Sequence, residues 1–376
     1  MSLLWMDGFD HYGDDESKML DGAWAEYFGA TWGNAGSAYL DTAKARTGAR
    51  AIHFKIGIPF GSTYASGQQR VWWRRVFGEN KVRAGVGLAI YMDELPANPN
   101  RIGVSFCDEN NAAQLTCYVL PTGAWQVYRG GIPTSINGSI GTLLGTSAVA
   151  LVAKGWNHVE IWATADDAAG AVEIRVNGVT VINLTGIDTV ASSLVHFAQV
   201  RYGEFGWRSQ DVGMQADWYI EDLFAADDQG LINNDFIGDK KVYTKFPDAD
   251  TMTQDWIPST GATAWEILSN NPADDAEFLT ADNPGDTLIE EVEDLPADVV
   301  SIAGIMPTAR AWKTDAGNAK IQLGMLSGSS LDVGVEHALS MAISYHWDVF
   351  ELDPDTGAAW TVEGYNAAQV QVERTE

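Results

Sequence analysis

The chain has 376 residues, with 23 lysines and arginines against 51 aspartates and glutamates, a net charge of −28. Phosphate backbones and anionic lipid surfaces repel such a molecule, so neither nucleic acid nor a membrane surface is an expected partner. No stretch approaches the about 20 apolar residues of a membrane span, and the length suits two cores of roughly 100 to 200 residues each.

Met1 leads into Leu3-Leu4-Trp5-Met6-Asp7-Gly8-Phe9-Asp10 with no basic or extended apolar leader, which gives the expectation of a soluble product without an export signal. Residues 36 to 56 form two polar-apolar segments around Thr47-Gly48-Ala49-Arg50, and residues 69 to 77 read as a strand loaded with large side chains. Adjacent strand residues point to opposite faces, so Trp73 shares a face with Val71 and Phe77, whereas Trp72 is expected between Arg70 and Arg74 on the other. Residues 85 to 91 make the next strand. A meander follows over 102 to 106, 114 to 120 and 124 to 128, its second turn being Pro121-Thr122-Gly123. Cys107 and Cys117 flank the first turn. Two cysteines make no disulfide framework, and reduced thiols are expected.

Residues 156 to 164 alternate, with Val159, Ile161 and Ala163 on one face and Trp156, His158, Glu160 and Trp162 on the other, of which only the first has the composition of core. Asn177-Gly178 is a type I′ hairpin signal, and a two-residue turn there sets Val176 opposite Val179 and Ile174 opposite Val181. Residues 216 to 224 should close the sandwich. Turn formers then crowd the chain around Asp227-Asp228, Asn233-Asn234-Asp235 and Asp248-Ala249-Asp250, which marks a boundary. Beyond it, residues 286 to 293, 299 to 306, 320 to 326, 342 to 351 and 369 to 373 read as strands. The expectation is therefore an all-β protein: a sandwich over residues 1–228, a boundary segment over 229–260, and a smaller β-rich domain over 261–376.

The opening Asp7-Gly8-Phe9-Asp10, the strand Gly155-Trp156-Asn157-His158-Val159-Glu160, the Val176-Asn177-Gly178 hairpin and the closing Trp218-Tyr219-Ile220-Glu221-Asp222-Leu223 occur in an order that resembles the concanavalin A-like, laminin-G-like jelly-roll sandwich of tailed-phage structural proteins. The resemblance continues through residues 231–238, 308–317 and 353–361. It implies a virion protein associated with tails, fibres or surface decoration, here expected at the tail or fibre among other virion proteins. A symmetric homo-oligomer is expected because most oligomers are closed and cyclic, and host surface glycans are the further expected partner. The alternatives within the same fold are a capsid decoration or head-spike protein and a free lectin-like carbohydrate-binding module.

Trp72 with Arg70 and Arg74, and Trp156, His158, Glu160 and Trp162, are the candidate ligand or interface residues. An indole face suits a sugar ring, and tryptophan and arginine are enriched where proteins meet. No catalytic residues are expected. The Glu-x-Asp-x-x-Glu pattern of glucanases sharing the fold is approached only at Glu351-Leu352-Asp353, where position 356 is threonine. There is no Gly-x-Ser-x-Gly elbow, no His-Glu-x-x-His and no P-loop. The expectation is a protein that is not an enzyme and has no cofactor or bound metal. Calcium is the one ion that the carboxylates of Asp7, Asp10 and Asp14, or of Asp248, Asp250 and Asp255, would suit.

Overall fold

The computed structural model describes residues 2–29, 36–58, 71–95, 102–131, 141–204 and 214–376. The strands up to residue 228 are β1 (Leu3–Asp7), β2 (Glu26–Gly29), β3 (Gly36–Asp41), β4 (Ala51–Ile58), β5 (Val71–Lys81), β6 (Arg83–Met92), β7 (Ile102–Cys107), β8 (Ala113–Val119), β9 (Ala124–Arg129), β10 (Thr142–Val149), β11 (Trp156–Thr164), β12 (Gly170–Val176), β13 (Val179–Ile187), β14 (Phe197–Glu204) and β15 (Met214–Asp227). They form an eight-stranded sheet, β13-β12-β11-β6-β15-β4-β3 with β1 against β15, and a seven-stranded sheet, β10-β9-β8-β7-β14-β5-β2. This is the expected all-β jelly-roll sandwich. Consecutive strands such as β5 and β6 fall in different sheets, so the chain wraps one core.

Alternation builds that core. Phe54, Leu88, Val159, Ile161 and Trp218 from one sheet meet Trp73, Val104, Phe106, Trp125 and Tyr202 from the other, all buried. Burial of each such side chain contributes about 1.5–3 kcal/mol. The β12–β13 turn has the expected positive φ at Asn177 (50°) and Gly178 (78°). Val176 pairs with Val179 as the sequence implies, but an irregularity after Ile174 sets Ile174 opposite Ile182 instead of Val181. The extra residue carries Ile182 into the core in the place expected for Val181.

One charged pair sits inside the core. Arg75 follows Trp73 by two residues and so points inward with it, where its NH1 reaches Asp7 Oδ2 at 2.8 Å, both side chains almost fully enclosed. The same oxygen accepts from Tyr12 Oη and Trp24 Nε1, both at 2.9 Å, and Asp7 Oδ1 accepts from the Phe9 N–H. The guanidinium carbon lies 4.4 Å from the Trp5 ring centre and 4.8 Å from that of Trp347. Asp7 thus has four donors, and Arg75 lies against indole faces.

Trp347 belongs to the second part of the chain, with β16 (Pro247–Gln254), β17 (Ile257–Pro258), β18 (Leu279–Thr280), β19 (Thr287–Val292), β20 (Thr308–Ala311), β21 (Lys320–Ser327), β22 (Ser330–Ala338), β23 (Ser344–Trp347) and β24 (Gln369–Arg374). Five of these form a sheet, β16-β19-β24-β21-β22, and β20 pairs with β23. Residues 299–306 form no strand, and their one β-bridge to another segment among the described residues is Ile305–Phe350. An apolar run alone does not supply a ladder partner. Conversely β22 alternates too weakly to be read in advance and forms as the return arm of a hairpin at Gly328. The two parts are stitched together: Arg310 bridges Asp21 and Asp275, and the Glu351 carboxylate accepts the N–H groups of Ser2 and Leu3.

Removing one member of an enclosed ion pair leaves the other charge unpaired, which is destabilising by about 3–5 kcal/mol. Asp7→Ala should therefore lower the stability measured by urea unfolding by that amount. A loss below ~1 kcal/mol would show that the pair is not central.

Candidate functional site

The outer face of the seven-stranded sheet carries the polar and aromatic side chains that alternation turns away from the core. On β5 these are Trp72 and Arg74; on β14, Gln199 and Arg201; on β7 and β8, Ser105, Thr116 and Tyr118; on β9, Tyr128. Trp72, Tyr118 and Tyr128 pack together as a separate aromatic cluster. Arg201 is directly opposite Arg74 in the β14–β5 register, so two guanidinium groups lie side by side. Arg74 Nε is 3.0 Å from Glu26 Oε2, and its NH1 donates to Gln199 Oε1. Arg201 NH2 donates to the Asn111 carbonyl at 2.6 Å, and its guanidinium lies over the Trp72 ring at 5.0 Å.

Arg201 is only 5% exposed, and its Nε has no hydrogen-bond partner among the described residues. A guanidinium with a spare donor suits an acceptor such as a carboxylate. Around it, Ser105 Oγ and Thr116 Oγ1 are 3.0 Å apart, Tyr128 Oη donates to Gln126, and Tyr118 Oη donates to the Gly131 carbonyl. These polar side chains are buried, both tyrosine hydroxyls are engaged and Arg74 is paired with Glu26, so Arg201 is the group here with donor capacity to spare for a carboxylate or a hydroxyl.

Trp72 and Arg74 share this face as expected, but the cation over the indole is Arg201, and Trp72 is buried instead of presented to solvent. Arg70 lies outside the described residues. Arg201 and Gln199 escaped the sequence reading because residues 197–204 were not recognised as a strand; the alternation of Val200 and Tyr202 with Gln199 and Arg201 was the signal.

Trp156, His158, Glu160 and Trp162 share the other outer face, that of the eight-stranded sheet, but it is a second packed layer and they do not form one open patch. Glu160 accepts the N–H groups of Ile237 (2.8 Å) and Gly238 (3.1 Å), and burial raises its carboxyl pKa against those bonds. Trp162 packs with Leu3, Phe224 and Val349 and lies on Gly85, where a Cβ would come within 2.2 Å of the indole. The ring Nε2 of His158 is buried and bonds neither Glu160 nor any other group among the described residues. Burial pushes its pKa down to about 4. Only Trp156 stands apart, half-buried beside Tyr91 with ring centres 5.6 Å apart.

The loop carboxylates are engaged by the protein itself. Asp10 accepts from the Ala49 and Arg50 N–H groups, Asp14 pairs with Arg50, Asp250 accepts from Trp265 N–H and Asp255 from Thr287 N–H. No group of three or more potential metal ligands with suitable geometry occurs among the described residues. Glu221 and Asp222 in the closing strand hold the 46–47 turn: Glu221 accepts from the Arg46 and Thr47 N–H groups, and Asp222 pairs with Arg46 at 2.9 Å. Burial lifts the Glu221 pKa to about 9.

No protein-family model matches the sequence, and no curated protein sequence matches it. Solved structures do match the fold. An endo-β-1,4-glucuronan lyase from the fungus Trichoderma reesei aligns over 55% of this chain and 93% of its own, at 13% identity and a TM-score of 0.42. The alginate lyase Aly36B aligns over 60% and 95% at 14% identity and a TM-score of 0.41, and the cellulose-induced protein Cip1 over 57% and 95% at 16% and 0.39. These are likenesses of the sandwich. The expectation of a protein that is not an enzyme does not stand: structures that align with more than half of this chain include glucuronan and alginate lyases, and a missing pair of acids bears on hydrolysis alone.

The His158 environment makes a pH prediction. The unfolded ring takes its proton near 6.5 and the folded one only near 4, so unfolding takes up a proton between those values. The stability tied to the neutral ring is present above pH 6.5 and is lost as pH falls toward 4. His158→Phe should lose less stability than the parent between pH 7 and pH 5 in urea unfolding; parallel losses would refute the assignment.

Proposed function

We propose that this protein is a glycan-engaging component of a virus particle, tail- or fibre-associated, whose seven-stranded sheet meets an acidic saccharide through Arg74 and Arg201. The virion assignment rests on the sequence resemblance. The saccharide assignment rests on one observation: two arginines opposite each other across the β14–β5 pair beside three aromatic rings, Arg201 with a buried Nε unpartnered among the described residues, in a chain with an excess of acids. A planar guanidinium takes a carboxylate in bidentate fashion, and flanking aromatics supply apolar surface for a sugar ring. Trp72 acts here as a positioning residue that holds Arg201 by its ring face.

In the particle, copies of the chain assemble with one another and with other virion proteins. A capsid decoration and a free lectin-like module differ from this reading only in where the chain resides.

Two measurements test the proposal. Loss of a hydrogen bond to a charged group is worth about 1.5–3 kcal/mol, so Arg201→Met should weaken binding of a polyuronate oligosaccharide by roughly tenfold or more in calorimetric titration at a temperature where its circular dichroism shows it folded. Equal affinity of parent and variant, or no binding by the parent, would remove the saccharide reading; incubation with the same polymer also reports cleavage through new chain ends. Antibody labelling of purified particles should decorate tails or fibres. Labelling of capsids, or of nothing, would overturn the placement.

A further inference from the structure

Alternation along β19 puts Glu290 on the same sheet face as Leu288 and Val292, opposite Val370 of β24 and Asp250 of β16, where it lines a cavity of about 940 Å³. Its side chain is a carboxyl among apolar neighbours and is only 1% exposed. Gln254 Nε2 donates to Glu290 Oε1 at 2.9 Å, but no donor of the described residues reaches the buried Oε2. The charged group that acts on Glu290 is another acid: the Asp250 carboxyl is in hydrogen-bond contact with it, and no cation among the described residues offsets the two. Burial lifts the Glu290 pKa to about 7; the Gln254 amide opposes the rise and Asp250 adds to it.

Asp250 also fastens a second element. Its Oδ1 accepts the Trp265 N–H at 2.9 Å, which ties the short helix α1 (Ala264–Leu268) to β16, and Ile267 and Leu268 of that helix line the same cavity. Two carboxyl groups in contact repel if both ionise, and a proton held between them supplies the donor that Glu290 Oε2 lacks. We propose that a proton shared by Asp250 and Glu290 latches β16 and α1 onto the five-stranded sheet, and that its loss as the pH rises loosens this wall of the cavity. The element that yields is β16, because it is an edge strand whose pairing is irregular between Asp250 and Gln254, whereas β19 is held on both sides. The sign follows from the two forms of Glu290. Opened to water the carboxyl returns to its ordinary value of 4.5, and closed it titrates near 7, so opening releases a proton between those values. The latch is complete below 4.5 and is lost as the pH climbs through 7.

The test is hydrogen exchange of the full chain, read by mass spectrometry and corrected for the intrinsic rate. Protection of residues 247–254 and 264–268 should fall about tenfold between pH 6 and pH 8, with no such fall in the central strand β24. Glu290→Gln, which keeps the hydrogen bonding of the protonated acid without its titration, should hold protection level across that range. Asp250→Asn, whose amide donates to the Glu290 carboxylate, should do the same, and either variant suffices once circular dichroism shows it folded. A parent protected equally at pH 6 and pH 8, or a folded variant that loses protection as the parent does, would overturn the proposal.

Discussion

The Asp7–Arg75 pair is the constraint around which the molecule is organised. A guanidinium enclosed between sheets is tolerable only if its charge is matched and its faces are covered. Asp7 matches the charge from β1, and Trp5 and Trp347 cover the faces from opposite parts of the chain. The amino-terminal segment, strand β5 and the second part of the chain thereby meet at one point, so the sandwich and the region beyond residue 228 share a contact.

That contact also orders the functional surface. With Arg75 and Trp73 directed inward, the pleat directs Trp72 and Arg74 outward, and β14 in register brings Arg201 beside Arg74. The polar outer face is thus the reverse side of the strand that carries the buried charge. The other sheet uses its outer face differently. Gly87 leaves room for the Phe224 ring, whose carbons would stand 2.1 Å from a Cβ there, and the chain at residues 236–238 closes over Glu160 and Trp162.

Strand alternation and turn chemistry made a β-sandwich and much of the strand placement legible in advance, with the jelly-roll form implied by the resemblance: β11 has the expected limits, the Asn177-Gly178 hairpin has its turn, and Trp72 and Trp73 point to opposite faces. The same parity predicts Arg75 alongside Trp73, but a charge in a core is not assigned without a partner, and Asp7 is distant in sequence. The bulge after Ile174, the cover over Glu160 and the pairing of Arg201 with Arg74 depend on contacts between distant segments. None leaves a local pattern.

The order of residues by itself therefore determined which side chains share a strand face, where the hairpin turns and that sheets dominate, because these follow from a two-residue pleat and from backbone preferences at asparagine and glycine. Tertiary structure alone decided which segment closes over Glu160 and Trp162, and which cation lies on Trp72. Those outcomes depend on strands and segments far apart in the chain coming into register, and burial then selects among faces that the local sequence leaves equivalent.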